Sequence, residues 1–298
     1  MEICGYAFGI GGCRSRKGHN NRTQNPTRGM VDYESVLYKH KFKYKKAFGQ
    51  NFIFDDDLLD EIAVAGGADG ACVVEIGAGA GTLTRAIAKR AKRLCSFEID
   101  ETLFPVLEET LAEFDNIQLF SNDVTEIGIE TVDMLIGEPY IVIANLPYYI
   151  TTPLLFLFLK SAQCGSITCL VQKEVAERVC AENGSAFGAL SACVQAVAEP
   201  KIVREVKSWE FNPMPEVDSA LLRLDRIPGT RFSDKFDAFV KQCFAQKRKT
   251  LMNNLTVAGI NKQDALAALE KLGYAPSARA EELGAKGLYA LAEALNRL

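Results

Sequence analysis

Four short segments of this 298-residue sequence carry residue types whose spacing could do chemistry. The first is Glu75-Ile-Gly-Ala-Gly-Ala-Gly81, where alternate glycines permit a sharp turn and a close backbone approach to a ligand that any Cβ would obstruct. Its spacing is Gly-x-Gly-x-Gly, not the Gly-x-Gly-x-x-Gly of a dinucleotide fold, and no phosphate-loop lysine follows. About twenty residues beyond the glycines, Phe97-Glu98-Ile99-Asp100 places a carboxylate, Glu98, at the offset that suits ribose hydroxyls. Next, Ser121-Asn122-Asp123-Val124 offers Asp123 as an acceptor for an adenine amino group. A glycine-rich turn alone is as well explained by a tight strand–helix connection. Three such strand ends in succession describe the crevice for an adenosine-bearing ligand, and S-adenosylmethionine fits better than NAD or ATP.

The fourth segment is Asn145-Leu146-Pro147-Tyr148. A proline there would also serve merely to end a strand. The four residues nevertheless suit one task. The exocyclic amine of a purine is a poor nucleophile, because its lone pair is delocalised into the ring. The Asn145 side-chain oxygen and a backbone carbonyl from Leu146 or Pro147 can accept its two hydrogens and let the lone pair localise toward a methyl sulfonium. Tyr148 offers a face for the base, a contact worth ~1–3 kcal/mol. The target base must be extruded or single-stranded, and the catalysis is largely positioning for in-line attack. Such a transfer needs no metal. With two His, nine scattered Cys and no Cys-x-x-Cys pair, the sequence writes no metal site.

The elements that must position these residues follow from periodicity. Asp55 stands where a helix N-cap would, ahead of Leu58, Leu59, Ile62 and Ala63, with Gly66 and Gly67 ending the helix. Strands are expected at 71–76, 93–98, 116–120, 140–145 and 166–172, with helices at about 82–92, 101–113 and 152–162 between them. This alternation predicts an α/β domain with a mostly parallel sheet. Further strands are expected at 201–207 and 219–226. After Pro228-Gly229 the pattern is helical only, with Phe236, Phe239, Val240 and Phe244 on one face. The expected division is a disordered extension over 1–30, a basic segment over 31–54, an α/β domain over 55–228 and an all-helical domain over 229–298. The first 30 residues, rich in Gly, Asn and Arg, bury too little to offset their ordering entropy. Met30 is a candidate alternative start, and a transit peptide is the less favoured reading, since the segment has no amphipathic face.

Hydrophobic residues at 48% and charged residues at 24% are ordinary for a globular chain. No apolar run reaches the roughly 20 residues of a membrane span. The odd number of cysteines, several within apolar runs, points to buried thiols in a reducing compartment. The formal charge of −4 hides an asymmetry: taking five basic residues and one acid in 1–30 from 34 and 38 leaves 29 against 37. Within that acidic scaffold lie two acid-free basic stretches. One spans 35–54, with Lys39, Lys41, Lys43, Lys45 and Lys46 among Tyr38, Phe42, Tyr44 and Phe48. The other spans 238–263, with Lys241, Lys247, Arg248, Lys249 and Lys262. Either alone is most simply a solvated face. Together they predict the lips of an RNA cleft, with Lys45, Lys46, Lys247, Arg248 and Lys249 on phosphates.

In combination the motifs are specific. Lys46-Ala-Phe-Gly-Gln-Asn-Phe52, Val74-Glu-Ile-Gly-Ala-Gly79, Asn145-Leu-Pro-Tyr-Tyr-Ile-Thr-Thr-Pro153, Gln172-Lys-Glu-Val-Ala-Glu-Arg178, Phe211-Asn-Pro-Met-Pro-Glu-Val-Asp-Ser-Ala220 and Phe244-Ala-Gln-Lys-Arg-Lys-Thr-Leu251 resemble the small-subunit (16S) ribosomal RNA adenine N6,N6-dimethyltransferases over residues 45–298. The resemblance implies a Rossmann-like class I S-adenosylmethionine-dependent methyltransferase domain with a small C-terminal all-helical domain. It implies a monomer acting in the cytoplasm on two adjacent adenosines near the 3′ end of that RNA, in a pre-ribosomal small-subunit particle. It implies that Asn51 and Ile53 cover the cofactor, that Gly77 lines its methionine part, and that Glu98 holds the ribose. Asp123 then takes the adenine, and Asn145 the edge between cofactor and target amine. Phe211 would be a second aromatic face for the base opposite Tyr148, although a core Phe beside a Pro-rich loop explains it equally. Three positions depart from the pattern: Ala78 and Met214 replace prolines and Glu216 replaces a lysine, the last removing a basic group near the RNA. Two alternatives remain, a large-subunit rRNA adenine methyltransferase of the macrolide-resistance type and a non-catalytic RNA-binding assembly factor on the same fold. Leu146, Thr151-Thr-Pro153 and the Gln-Lys-Arg-Lys segment argue against the first, and the intact Gly77, Glu98, Asp123 and Asn145 set against the second.

Overall fold

The computed structural model describes residues 8–9, 31–45 and 48–298. The expectations for the remainder of residues 1–30, for Met30 and for Lys46 lie outside the described residues. The chain divides into two compact units. The first runs to Pro147 and includes Lys207–Glu216; the second comprises Tyr148–Val206 and Val217–Leu298.

In the first unit, β1 (Phe8–Gly9), α1 (Tyr33–Lys39) and α2 (Asp56–Gly66) precede the alternating elements β2 (Cys72–Ile76), α3 (Thr82–Ala88), β3 (Arg93–Phe97), α4 (Phe104–Thr110), β4 (Ile117–Phe120), α5 (Val124–Ile127), α6 (Ile129–Ile136) and β5 (Tyr140–Asn145). The strand order is β1-β4-β3-β2-β5. All pairs are parallel except β1 with β4. Val73, Val74, Leu94, Cys95, Val142 and Ile143 are buried, as expected of parallel strands covered on both faces. The α2 helix begins as anticipated: Asp55 Oδ1 accepts from the Asp57 and Leu58 N–H groups at 3.0 Å, a cap worth ~1 kcal/mol. It ends at Gly67, whose φ is +83°. The parallel register sets Ile76 beside Phe97 and Phe97 beside Phe120, which brings the carboxyl ends of three strands to one level.

The second unit holds α7 (Thr151–Lys160), β6 (Cys164–Gln172), α8 (Lys173–Cys180), α9 (Ala189–Gln195), β7 (Ala198–Val206) and β8 (Ser219–Arg226). Its strands run antiparallel in the order β6-β8-β7. Four helices follow, α10 (Asp234–Cys243), α11 (Leu251–Val257), α12 (Lys262–Lys271) and α13 (Ala280–Ala294). They have no separate core. Phe236, Phe239, Leu255, Leu269 and Leu288 pack in one cluster with Phe187, Ala192 and Cys193 from around α9. The compact unit is therefore larger than the expected helical segment 229–298. The reason is that the apolar face of α10 finds its partner in α9, a helix that periodicity had not distinguished.

The described cysteines carry free thiols, and six of the seven are buried. Burial pushes the Cys95 thiol up to about 11 and those of Cys169 and Cys243 up to about 12. Among the described residues no helix is long and apolar enough to cross a membrane, and no group of three or more His, Cys, Asp or Glu side chains is placed to hold a metal ion.

Candidate active site

The glycine turn leaves β2 with Gly77 at φ +80°, a conformation that disfavours any side chain, and its N–H donates to the Phe97 carbonyl at 2.7 Å. A Cβ built on Gly77 would meet only the Asn145 carbonyl oxygen, at 3.9 Å. The ends of β2 and β5 thus lie side by side around an open cradle. Gly79 has a different constraint. Its N–H donates to Glu98 Oε2 at 2.8 Å, and a Cβ there would sit 2.9 Å from the Phe52 ring.

Glu98, at the end of β3, is buried. Its Oε1 accepts from the Asp100 N–H at 2.8 Å, so two backbone donors hold the carboxylate in one orientation. Burial raises its pKa above the ordinary value, opposed by those donors. Asp123 caps α5: its Oδ1 accepts from the Thr125 N–H at 2.8 Å and the Thr125 hydroxyl at 2.7 Å. One residue ahead of the turn, Glu75 is fully buried. Its Oε2 accepts from the Ser96 hydroxyl at 2.6 Å, whereas Oε1 has no partner among the described residues. Burial pushes its pKa up to about 7.

A strap described over residues 42–45 and 48–54 carries Asn51, Phe52 and Ile53. The Asn51 carbonyl accepts from Asn145 Nδ2 at 2.8 Å. Phe52 and Asn212 exchange two backbone hydrogen bonds, of 2.9 and 2.8 Å. Ile53 is buried. The rings of Phe42 and Tyr44 lie 6.0 and 5.4 Å from that of Phe52, so the three pack on one another, with Tyr44 also exposed to solvent. The anchor of the strap is Asp100, which is 2% exposed. It accepts from Lys45 Nζ at 2.6 Å, Gln50 Nε2 at 2.8 Å and the Thr102 hydroxyl at 2.6 Å.

Sequence reasoning missed Asp100 and Gln50. The Ile99-Asp100 pair beside Glu98 was the available signal. Lys45, expected on a phosphate, places its ammonium against Asp100, with its side chain 39% exposed. Lys39 likewise pairs with Glu109 at 2.8 Å. Phe211, expected either as a face for the base or as a core ring, is buried at 5% exposure.

Leu146 is buried and Pro147 half-buried at the end of β5. In the second unit, Tyr148 is half-buried and its hydroxyl hydrogen-bonds the Ser219 hydroxyl at 2.7 Å, which fixes the ring plane. Lys247, Arg248 and Lys249 are all exposed on the turn between α10 and α11. That turn is held from below by buried Asn254, whose Nδ2 donates to the Cys243 and Gln246 carbonyls at 2.7 and 3.3 Å.

An alternating α/β unit with a glycine cradle at one strand end, carboxylates at the next two and Asn-Leu-Pro after the fourth defines a class I S-adenosylmethionine-dependent methyltransferase. The residues fit the cofactor: the cradle is one that a Cβ at Gly77 would begin to fill, and the carboxylates of Glu98 and Asp123, acceptors of the kind a nucleoside requires, stand just beyond β3 and β4. A family profile described as Ribosomal RNA adenine dimethylase matches residues 41–296, and the chain belongs to that family. It is 38% identical over 242 residues to Ribosomal RNA small subunit methyltransferase A of Alkaliphilus oremlandii, covering 78% of this chain and 84% of that protein. It is 42% identical over 232 residues to the protein of the same name from Levilactobacillus brevis, covering 74% and 78%. Among solved structures, a dimethyladenosine transferase from Plasmodium falciparum superposes with a TM-score of 0.70 at 26% identity, covering 82% of this chain and 97% of that one. The 23S rRNA methyltransferase ErmE superposes with a TM-score of 0.66 at 26% identity, covering 83% and 100%.

Proposed function

We propose that this methyltransferase converts two adjacent adenosines near the 3′ end of small-subunit (16S) rRNA to N6,N6-dimethyladenosine, acting as a monomer on a small-subunit particle in the cytoplasm. The observation that carries this reading is the hydrogen bond from Asn145 Nδ2 to the Asn51 carbonyl. With Nδ2 engaged, Asn145 Oδ1 is the atom turned to the target, and it accepts a hydrogen of the exocyclic amine. A backbone carbonyl of Leu146 or Pro147 accepts the other. S-adenosylmethionine supplies the methyl group on a sulfonium. The chain's own residues bind it, hold the amine in line with it and exclude water: Gly77 leaves room for the methionine portion, Glu98 takes the ribose, Asp123 the adenine, and Asn51 and Ile53 cover the site. Tyr148 offers its face to the target base. The names of the relatives in Alkaliphilus and Levilactobacillus support the small subunit as substrate. Lys247, Arg248 and Lys249, with exposed Lys41 and Lys43, are the cations free to meet phosphates.

The test is incubation with methyl-labelled cofactor and unmodified small- or large-subunit particles, followed by digestion of the RNA. Dimethyladenosine in the small-subunit RNA is expected. Label confined to the large subunit, whose 23S rRNA is in the name of the ErmE methyltransferase, or no label in either, overturns the proposal.

A further inference from the structure

The loop that was expected to present Phe211 presents a different ring. Trp209, the chain's only tryptophan, is 70% exposed, and Met214 beyond it is 66% exposed, while Phe211 between them is buried. An indole that presents most of its surface to solvent offers a ready face for stacking. The turn that carries it is well built. Ser208–Glu210 forms a single 3-10 turn, Glu210 Oε2 accepts from the Lys207 N–H at 2.6 Å, and the Phe211 N–H donates to the Ser208 carbonyl at 3.2 Å. Just beyond, Asn212 is locked to Phe52 by two backbone hydrogen bonds, and Asn51, next to Phe52, orients Asn145. The exposed indole is thus tied by a short hydrogen-bonded path to the amide that fixes the target amine.

We infer that Trp209 is a stacking face for the unpaired nucleotide adjacent to the adenosine under methylation. This rests on the proposed function, which supplies the reason such a face is needed. When one of two neighbouring adenosines is held at Asn145, the other has lost its stacking partner. An indole carried on this hydrogen-bonded turn replaces that partner. Stacking is tolerant of base identity, so the same face serves whichever of the two adenosines is the neighbour.

The single tryptophan makes the test direct, because its emission reports this position alone. The probe is an RNA hairpin with two adjacent adenosines in an unpaired loop, compared with the same hairpin carrying abasic sites at both. The adenosine hairpin is expected to quench the emission by half or more, and the abasic one to leave it nearly unchanged. Trp209→Ala should raise the KM for RNA about tenfold while cofactor affinity stays the same and kcat at saturating RNA changes far less. Trp209→Phe should restore most of the loss. The exposure of the side chain means the variant should fold, which its melting temperature checks. Unchanged emission under conditions where anisotropy of end-labelled RNA shows binding, or a Trp209→Ala enzyme with wild-type KM, overturns the inference. So does quenching by ribosomal proteins but not by RNA, which would assign the face to a protein. A wild-type enzyme that forms no dimethyladenosine on small-subunit particles overturns the proposed function instead, so the two failures are distinct.

Discussion

Replacing Asp100 with Asn tests whether the strap over the cofactor site is held by one buried carboxylate. Oδ1 of Asp100 accepts from Lys45 Nζ and from both the N–H and the hydroxyl of Thr102, and Oδ2 accepts from Gln50 Nε2. An asparagine of the same shape has a single acceptor oxygen. If that oxygen serves Lys45 and Thr102, its amide hydrogens confront the Gln50 amide, donor against donor. Gln50 cannot simply flip, because its Oε1 accepts from the Lys45 N–H at 2.8 Å. One hydrogen bond to a charged group is lost and one buried donor is stranded, together about 2 kcal/mol of stability. The ionic contribution of Lys45 is discounted because its side chain is 39% exposed and water screens it. The strap carries Asn51 and Ile53, so cofactor affinity should fall about tenfold, the equivalent of ~1.4 kcal/mol. Urea denaturation and calorimetric titration of the cofactor at pH 7 measure the two quantities. Burial works to raise the Asp100 pKa, but the Lys45, Thr102 and Gln50 donors outweigh it and hold it below its ordinary 3.8. Its stabilisation is therefore complete above about pH 4 and disappears as pH falls through the lower folded value. The gap between wild type and variant should close in that acid range. A loss under 0.5 kcal/mol with wild-type cofactor affinity would refute the latch.

Other perturbations probe neighbouring links. Gly79→Ala puts a Cβ 2.9 Å from the Phe52 ring at φ +58°, and should cost ~1–2 kcal/mol and weaken cofactor binding, both measurable by thermal shift with and without cofactor. Were the stabilisation by cofactor undiminished, the close approach would have no functional weight. Lys247→Ala with Arg248→Ala should weaken RNA binding and lower its log–log salt slope by ~1.4–1.8, leaving cofactor affinity intact. An unchanged slope counts against a phosphate contact. Glu75, whose pKa is pushed up to about 7 by burial from an ordinary 4.5, favours the folded state fully only below about pH 4.5 and loses that advantage as pH rises through 7. Glu75→Gln should thus melt higher than wild type at pH 8 and show little gain at pH 4. Parallel melting curves across that range would contradict the burial argument.

The glycine turn, Glu98, Asp123 and Asn145 were legible in the sequence because each lies at a strand end, and strand ends are local features of hydrophobic patterning. The parallel register then gathers them without further information. Lys45 hid its pairing with Asp100 for the opposite reason. Its local context is a basic run, but its partner, Asp100, is 55 residues away, and no charge pattern along the chain announces such a pairing. Phe211 and Trp209 make the same point about burial: both are aromatic, two residues apart, and only the turn at Ser208–Glu210 decides which faces inward. The helices α8 and α9 escaped notice because each is short and follows or precedes a strand without a strong cap. That omission hid the surface on which α10 buries Phe236 and Phe239.

With Asn145 in its proposed role, the bond to the Asn51 carbonyl would also make the site a discriminator between purines. It sets the amide dipole in one sense, with an acceptor outward. Adenine meets that acceptor with an amino group. Guanine and hypoxanthine carry an oxo group at the same ring position and would oppose lone pair to lone pair, leaving a buried acceptor unpaired at ~1–3 kcal/mol. Aspartate in place of Asn145 could not do the same, since one of its oxygens would face the Asn51 carbonyl. Rejection of the wrong base is thereby set by a peptide oxygen 94 residues earlier in the chain, one that need not touch the base at all.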